Sequence, residues 1–179
     1  MLNKLQQEKL LNIARQTLEE YIRNGRVPEF KETDSELVQK CGVFVTLTKK
    51  GQLRGCIGYI QPILPLHEAV SKMAIESSTG DPRFPPVSPE ELQDIHIEIS
   101  VLTPLERIED IKKIEIGKHG LYIRKGFYSG LLLPQVATSY DWNKWEFLNQ
   151  TCIKAGLPAD SWRDKDTEIY IFSAQIFSE

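Results

Sequence analysis

Between residues 4 and 24, apolar side chains recur at Leu10, Leu11, Ala14, Leu18, Tyr21 and Ile22. Steps of three and four residues put them on one helical face, and Gly25 followed by Pro28 ends the run. The pattern then changes. Gly42–Thr48 (GVFVTLT) is rich in β-branched and aromatic residues, and Lys49-Lys50-Gly51-Gln52 turns it back into Leu53–Ile60, predicting a hairpin. Leu66, Ala69, Val70, Met73 and Ala74 predict a helix that stops by Gly80-Asp81-Pro82. After a proline-rich loop and a short Pro89-Glu90-Glu91-Leu92 turn, Ile95–Val101 alternates as a half-buried strand.

The order hairpin, helix, strand then recurs. Leu121–Arg124 and Tyr128–Leu133 flank Lys125-Gly126-Phe127 as a second hairpin. Asp141 is an N-cap candidate for a helix through Ala155, with Trp142, Trp145, Leu148 and Cys152 on one face. Gly156-Leu157-Pro158 stops it, and Glu168–Phe177 reads as a closing strand. The reading is an α+β domain over residues 1–179 built as a ββαβ duplication, with unequal halves near 1–110 and 111–179. Matching the halves aligns Arg54-Gly55-Cys56 with Ser129-Gly130-Leu131. The glycine has a counterpart, whereas the guanidinium and the thiol do not. That difference marks Arg54 and Cys56 as additions to what the fold requires.

Composition narrows the function classes. The chain is 41% hydrophobic and 26% charged, as in soluble globular proteins. A net charge of −3, with no basic run longer than a pair, leaves no electrostatic footprint for nucleic acid. The N-terminal residues are too polar for a signal peptide, and no segment reaches the length of a membrane span. Cys41, Cys56 and Cys152 form no CxxC pair and have no histidines at zinc-ligand spacing. The expectation is a cytosolic protein with reduced thiols, no metal and no cofactor.

Within LRGCIGY, Arg54 and Cys56 share a strand face. An unperturbed thiol is only about 3% ionised at neutral pH. A guanidinium about 6 Å away contributes roughly 2.8 kcal/mol toward the thiolate at a dielectric near 20, but about 0.7 in water. The thiol is therefore either an activated nucleophile in a cleft, a ligand contact, or a small buried hydrophobe. Gly55 and Gly58 mark close approach to the strand by a ligand or by the neighbouring helix. His67, His96 and His119 are the available bases, none at a diagnostic spacing from Cys56. His67 reads as a surface residue; His96 shares a polar face with Glu98 and Ser100. In Asp81-Pro82-Arg83-Phe84-Pro85-Pro86, the prolines stiffen the loop. Arg83 is thereby held for an anionic ligand or paired to a local carboxylate. The three tryptophans and Cys152 read as core.

LRGCIGYI, preceded by GVFVTL and followed by DPRFPPVSPEEL and IEISVLTPLE, resembles the AMMECR-type family, called AmmeMemoRadiSam system protein A in prokaryotes. GKHGLYIRKG, SGLLLPQVA, WEFLNQTCIKAGLP and IYIFSAQIF extend the resemblance over almost the whole chain. It implies an α+β fold of two unequal subdomains with a cleft between them. It also implies an association with a Memo-like protein and a radical SAM protein. The family's biochemical activity is not established. The resemblance places Arg83 in the DPRFPP block, His119 in GKHGL and Gln135 in LPQVA. It implies no family histidine at His67 or His96, which lowers both as bases.

The resulting expectation is a small-molecule-binding or catalytic cleft. Cys56 would be nucleophile or contact and His119 a proton carrier. Arg54 and Arg83 would hold an anionic group, with Gly55, Gly58 and Gln135 lining the site. The alternatives are a non-catalytic adaptor for the Memo-like or radical SAM protein, and an RNA-binding module.

Overall fold

The computed structural model describes residues 1–179. In chain order the elements are α1 (Lys4–Asn24), β1 (Val43–Lys49), β2 (Gln52–Tyr59), α2 (Leu66–Ile75), β3 (Ile95–Leu102) and β4 (Glu106–Ile108). They continue as β5 (Gly120–Lys125), β6 (Tyr128–Leu132), α3 (Pro134–Ser139), α4 (Lys144–Lys154), β7 (Glu168–Phe172) and β8 (Ala174–Ser178). Two units result: Met1–Leu102 with Gln175–Glu179, and Thr103–Ala174. This division differs from expected halves of 1–110 and 111–179 because β4 pairs with β7, while the last residues return to the first unit.

In the first unit α1 opens on a capping box. Asn3 accepts the Gln6 N–H and Gln6 accepts the Asn3 N–H. It closes on Gly25 in the left-handed region at φ +66°. The sheet order is β2-β1-β3-β8, with β1 antiparallel to both β2 and β3. Val43, Val45 and Leu47 alternate toward the helices with Ile95, Ile97, Ile99 and Val101, and form one core with Leu10, Leu18, Leu37, Val70 and Met73. The helix α2 runs on into a π-helical turn, Glu76–Gly80, a geometry often found beside functional sites.

The second unit has sheet order β4-β7-β5-β6. Read from the other edge it repeats the first: hairpin strands, then the strand after the helix, then one added strand. That fourth strand comes in each case from the chain that has just left the other sheet. The segment 168–177, expected as one strand, is accordingly split at Ser173 into β7 and β8, which belong to different sheets. α3 was not expected from the pattern. Asp141, at φ +52°, follows α3, and Asn143 caps α4 instead by accepting the Trp145 and Glu146 N–H groups. Starting α4 there turns Phe147, Leu148, Thr151 and Cys152 inward. Trp145 is left 52% exposed against Trp162, so it is not a core residue as expected.

The matched glycines have matched roles. A Cβ on Gly55 would overlap the Ser77 carbonyl in the turn ending α2, and one on Gly130 would overlap the backbone at Lys154–Ala155 ending α4. In both units the helix end therefore seats directly on a strand glycine. Gly55→Ala and Gly130→Ala are each expected to lower stability in urea unfolding by about 2–3 kcal/mol, the usual cost of overpacking. A loss under about 0.5 kcal/mol at either position, the range of neutral surface changes, would remove this packing account.

Candidate functional site

The site starts from an edge strand. β2 has no strand neighbour beyond it, and side chains from the turn after α2 and the following loop take up its backbone groups. Asp81 Oδ2 accepts the Cys56 N–H at 2.9 Å. The Ser77 hydroxyl accepts the Ile57 N–H at 2.9 Å and donates to the Val45 carbonyl at 2.7 Å, bridging β2 to β1. Gly58 lies against the Phe44 ring and the Val43 carbonyl, with no room for a Cβ. The approach at both glycines of the motif thus comes from the protein's own chain.

Both arginines are engaged. Arg54 gives Nε and Nη2 to the two oxygens of Glu91, each at 3.0 Å, Nη1 to the Pro85 carbonyl at 2.9 Å and Nη2 to the Pro86 carbonyl at 3.2 Å. Its side chain is 12% exposed, so it acts as a clip on the proline loop rather than as the free anion holder expected. Glu91 also accepts Lys49 Nζ at 2.9 Å and the Ser88 N–H at 3.0 Å. Arg54 foremost, with the Ser88 N–H and Lys49, lowers the Glu91 carboxyl to about 2 despite burial. Arg83 forms a two-toothed pair with Asp81, Nε to Oδ1 at 2.9 Å and Nη2 to Oδ2 at 2.7 Å, and its guanidinium lies 5.5 Å from the Phe84 ring. Arg83 first, then the Cys56 and Arg83 N–H groups, hold the buried Asp81 well below the usual carboxylate range.

The thiol lies on the sheet face opposite the helices. Register places Cys56 beside Thr46 and Thr46 beside Glu98, one row across β2, β1 and β3. Cys56 Sγ is 3.2 Å from Thr46 Oγ1. Both Cys56 and Glu98 are half-buried. Burial pushes the thiol pKa up; the Thr46 bond and the Arg83 charge pull the other way, and Asp81 and Glu98 add to the rise. Arg54 is not the charge that acts on Cys56, because its guanidinium is turned to Glu91. The expected activation by Arg54 is therefore absent. Burial also raises Glu98, partly offset by His96. On the same face Ser100 is 1% exposed and its hydroxyl has no protein partner.

The corresponding row of the second unit is Leu131–Tyr122–Tyr170, with the tyrosine rings 5.7 Å apart. One architecture thus carries a thiol, a hydroxyl and a carboxyl in one unit and an apolar–aromatic row in the other.

The remaining candidates fall elsewhere. His119 belongs to the second unit, where its Nδ1 accepts the Glu115 N–H at 3.2 Å beside a small polar cavity with Thr103, Glu106 and Ser173. Gln135 lies in the first turn of α3 in that unit, with its side-chain oxygen buried and unpartnered. His96 is exposed, and His67, expected at the surface, is 7% exposed because the turn and bend at residues 35–40 cover the start of α2. Cys152 is fully buried. No group of three His, Cys, Asp or Glu side chains is placed to hold a metal ion. No helix is long and apolar enough to cross a membrane. Sequence reasoning missed Asp81, Thr46 and Glu91. The Ser88-Pro89-Glu90-Glu91 capping-box spacing was a visible signal for Glu91, and alternation opposite Val45 was one for Thr46.

Glu91 gives a pH signature. Its folded pKa lies below the unfolded value, so its stabilisation is complete above about pH 5 and disappears as pH falls through 4.5 toward about 2. Glu91→Gln is expected to cost about 2 kcal/mol at pH 7, the worth of hydrogen bonds to a charged group. Urea unfolding of both proteins across this range should show the difference shrinking on acidification. A constant difference would separate the loss from ionisation of Glu91.

The family model for AMMECR1 matches residues 11–177. A protein of Thermococcus gammatolerans is 54% identical over 96% of this chain and 89% of its own length. Protein MK0488 of Methanopyrus kandleri is 49% identical over 96% of this chain and 87% of its own. The crystal structure of the uncharacterised protein PH0010 from Pyrococcus horikoshii superposes with a TM-score of 0.92 at 50% identity, covering 96% of this chain and 90% of that one. The α+β architecture is shared, and the chain belongs to the AMMECR1 family.

Proposed function

We propose that this AMMECR1-family protein is a small-molecule-binding protein whose ligand contacts the Cys56–Thr46–Glu98 row, with Cys56 acting as a thiol contact rather than a resting thiolate nucleophile. The observation that carries this reading is the contrast between the two units. Gly55 and Gly130 serve the same packing, yet the first unit places a thiol, a hydroxyl and a carboxyl on the strand row beside its glycine where the second places Leu131, Tyr122 and Tyr170.

Charge selects the ligand class. Asp81 neutralises Arg83, and Glu91 is shared by Arg54 and Lys49, leaving Glu98 as the charge on the row itself without a counter-ion pair. That carboxyl within the row favours a neutral or cationic ligand over the anion suggested by two arginines in the sequence. Thiol and hydroxyl offer donors and acceptors 3.2 Å apart, and Glu98 offers a carboxyl whose burial raises its pKa.

Charged methanethiosulfonate reagents test this directly on the folded chain. Cys56 should react well ahead of the fully buried Cys152. Relative to a free thiol, the cationic reagent should modify it about fourfold faster than the anionic one. The two reagents feel one charge about 10 Å away, two strand spacings, with opposite signs in a water-like dielectric. Glu98→Gln should abolish the preference, and the reaction midpoint should lie above the ordinary thiol value near 8.5. Preference for the anionic reagent would restore the anion site, and a midpoint below about 7 would restore the thiolate nucleophile.

A further inference from the structure

On the helix side of the first sheet, a cavity of about 600 Å³ opens between α1, α2 and residues 27–31. Small-molecule sites commonly occupy about 300–1,000 Å³. Tyr21, Val27, Pro28, Phe30, Leu64 and Ile75 form its apolar wall. None of these residues belongs to the Cys56 row, which lies on the other face of the sheet.

His67 supplies the polar feature of this cavity. Its residue is 7% exposed, its Nδ1 lies 3.0 Å from the Leu37 carbonyl, and its own backbone N–H donates to that carbonyl at 3.1 Å. A carbonyl only accepts, so Nδ1 carries a hydrogen, and in that tautomer Nε2 presents a lone pair. The one carboxylate within 4 Å of Nε2 is Glu68, its Oε1 at 3.9 Å, beyond hydrogen-bond length. One bond from the ring and one from the backbone thus anchor His67 to Leu37, and the second ring nitrogen has no hydrogen-bond partner in the protein. The charged groups around the cavity are of both signs: Lys31 and Lys72 stand with Glu29, Glu68 and Glu76. Nothing there selects a strongly charged ligand.

We infer that this cavity binds an uncharged, ring-bearing small molecule that donates one hydrogen bond to His67 Nε2. The apolar wall takes the ring by removing it from water. The imidazole fixes its orientation at little entropic cost, because the ring is already held.

Indole and 1-methylindole are the probes, since they share a ring system and differ in the N–H. In NMR titrations of the full chain, indole should give saturable shifts at His67, Tyr21 and Phe30 in the millimolar range. 1-Methylindole should bind about fivefold more weakly, the worth of one neutral hydrogen bond. His67→Phe should bind both probes equally. Val27→Trp, at a position 56% exposed, should crowd the apolar wall and weaken both titrations while leaving the fold intact. Absence of saturable shifts, equal affinity for the two probes, or binding unchanged in Val27→Trp would overturn the inference. Cys56 reactivity measured on the same variants should stay unchanged, so this site and the Cys56 row stand or fall separately.

Discussion

The contact between Gly55 and the Ser77 carbonyl sets the geometry on which the rest of the first unit depends. Because the strand carries no Cβ there, the turn that ends α2 can press its backbone onto β2. The same turn then aims the Ser77 hydroxyl at the β1–β2 ladder and delivers Asp81 to the Cys56 N–H. Asp81 in turn fixes Arg83, and the loop that follows supplies the carbonyls gripped by Arg54. An exposed edge of N–H and C=O groups is thereby closed with side chains instead of another strand. A side chain at position 55 would displace the first contact of this series, and the later ones could not form where they do.

Much of the fold was legible because it is written in periodicity. The 3.6-residue pattern of α1, the alternation of β3 and the two hairpins follow from which residues must leave water. What stayed hidden depends on tertiary pairing. β4 has three residues, too few for a pattern, and exists because β7 offers an edge. The break at Ser173 separates strands that both alternate, so only the partner sheets distinguish them. The helix start moved from Asp141 to Asn143 because Asp141 takes a left-handed conformation after α3.

The candidate site was legible in outline and misread in its charges. Sequence showed two arginines and a thiol, a combination that suggests anion binding and thiolate chemistry. Folding supplied the carboxylates, and Asp81 lies two residues from Arg83 while Glu91 lies in a turn far from Arg54 in the chain. A bidentate pair of this kind has its strongest donors already spent, so its net field at a neighbouring thiol is small. Burial then decides the thiol's state, and burial favours the uncharged form.

The internal repeat separates scaffold from chemistry more cleanly than the motif alone. Gly55 and Gly130 meet helix ends in the same way, so the glycine belongs to the architecture. On the adjacent row, Cys56, Thr46 and Glu98 stand where Leu131, Tyr122 and Tyr170 stand in the second unit. Tyr122 and Tyr170 pack ring against ring, so that row is filled by side chains in contact with one another. The first unit instead keeps small polar groups there, with Glu98 at a raised pKa and Ser100 beside it without a protein partner. Polar groups left half-desolvated cost stability unless something bonds them. That the first unit retains this cost, while the second fills the same row with a leucine and two packed tyrosines, is what supports the proposed molecule that would complete it.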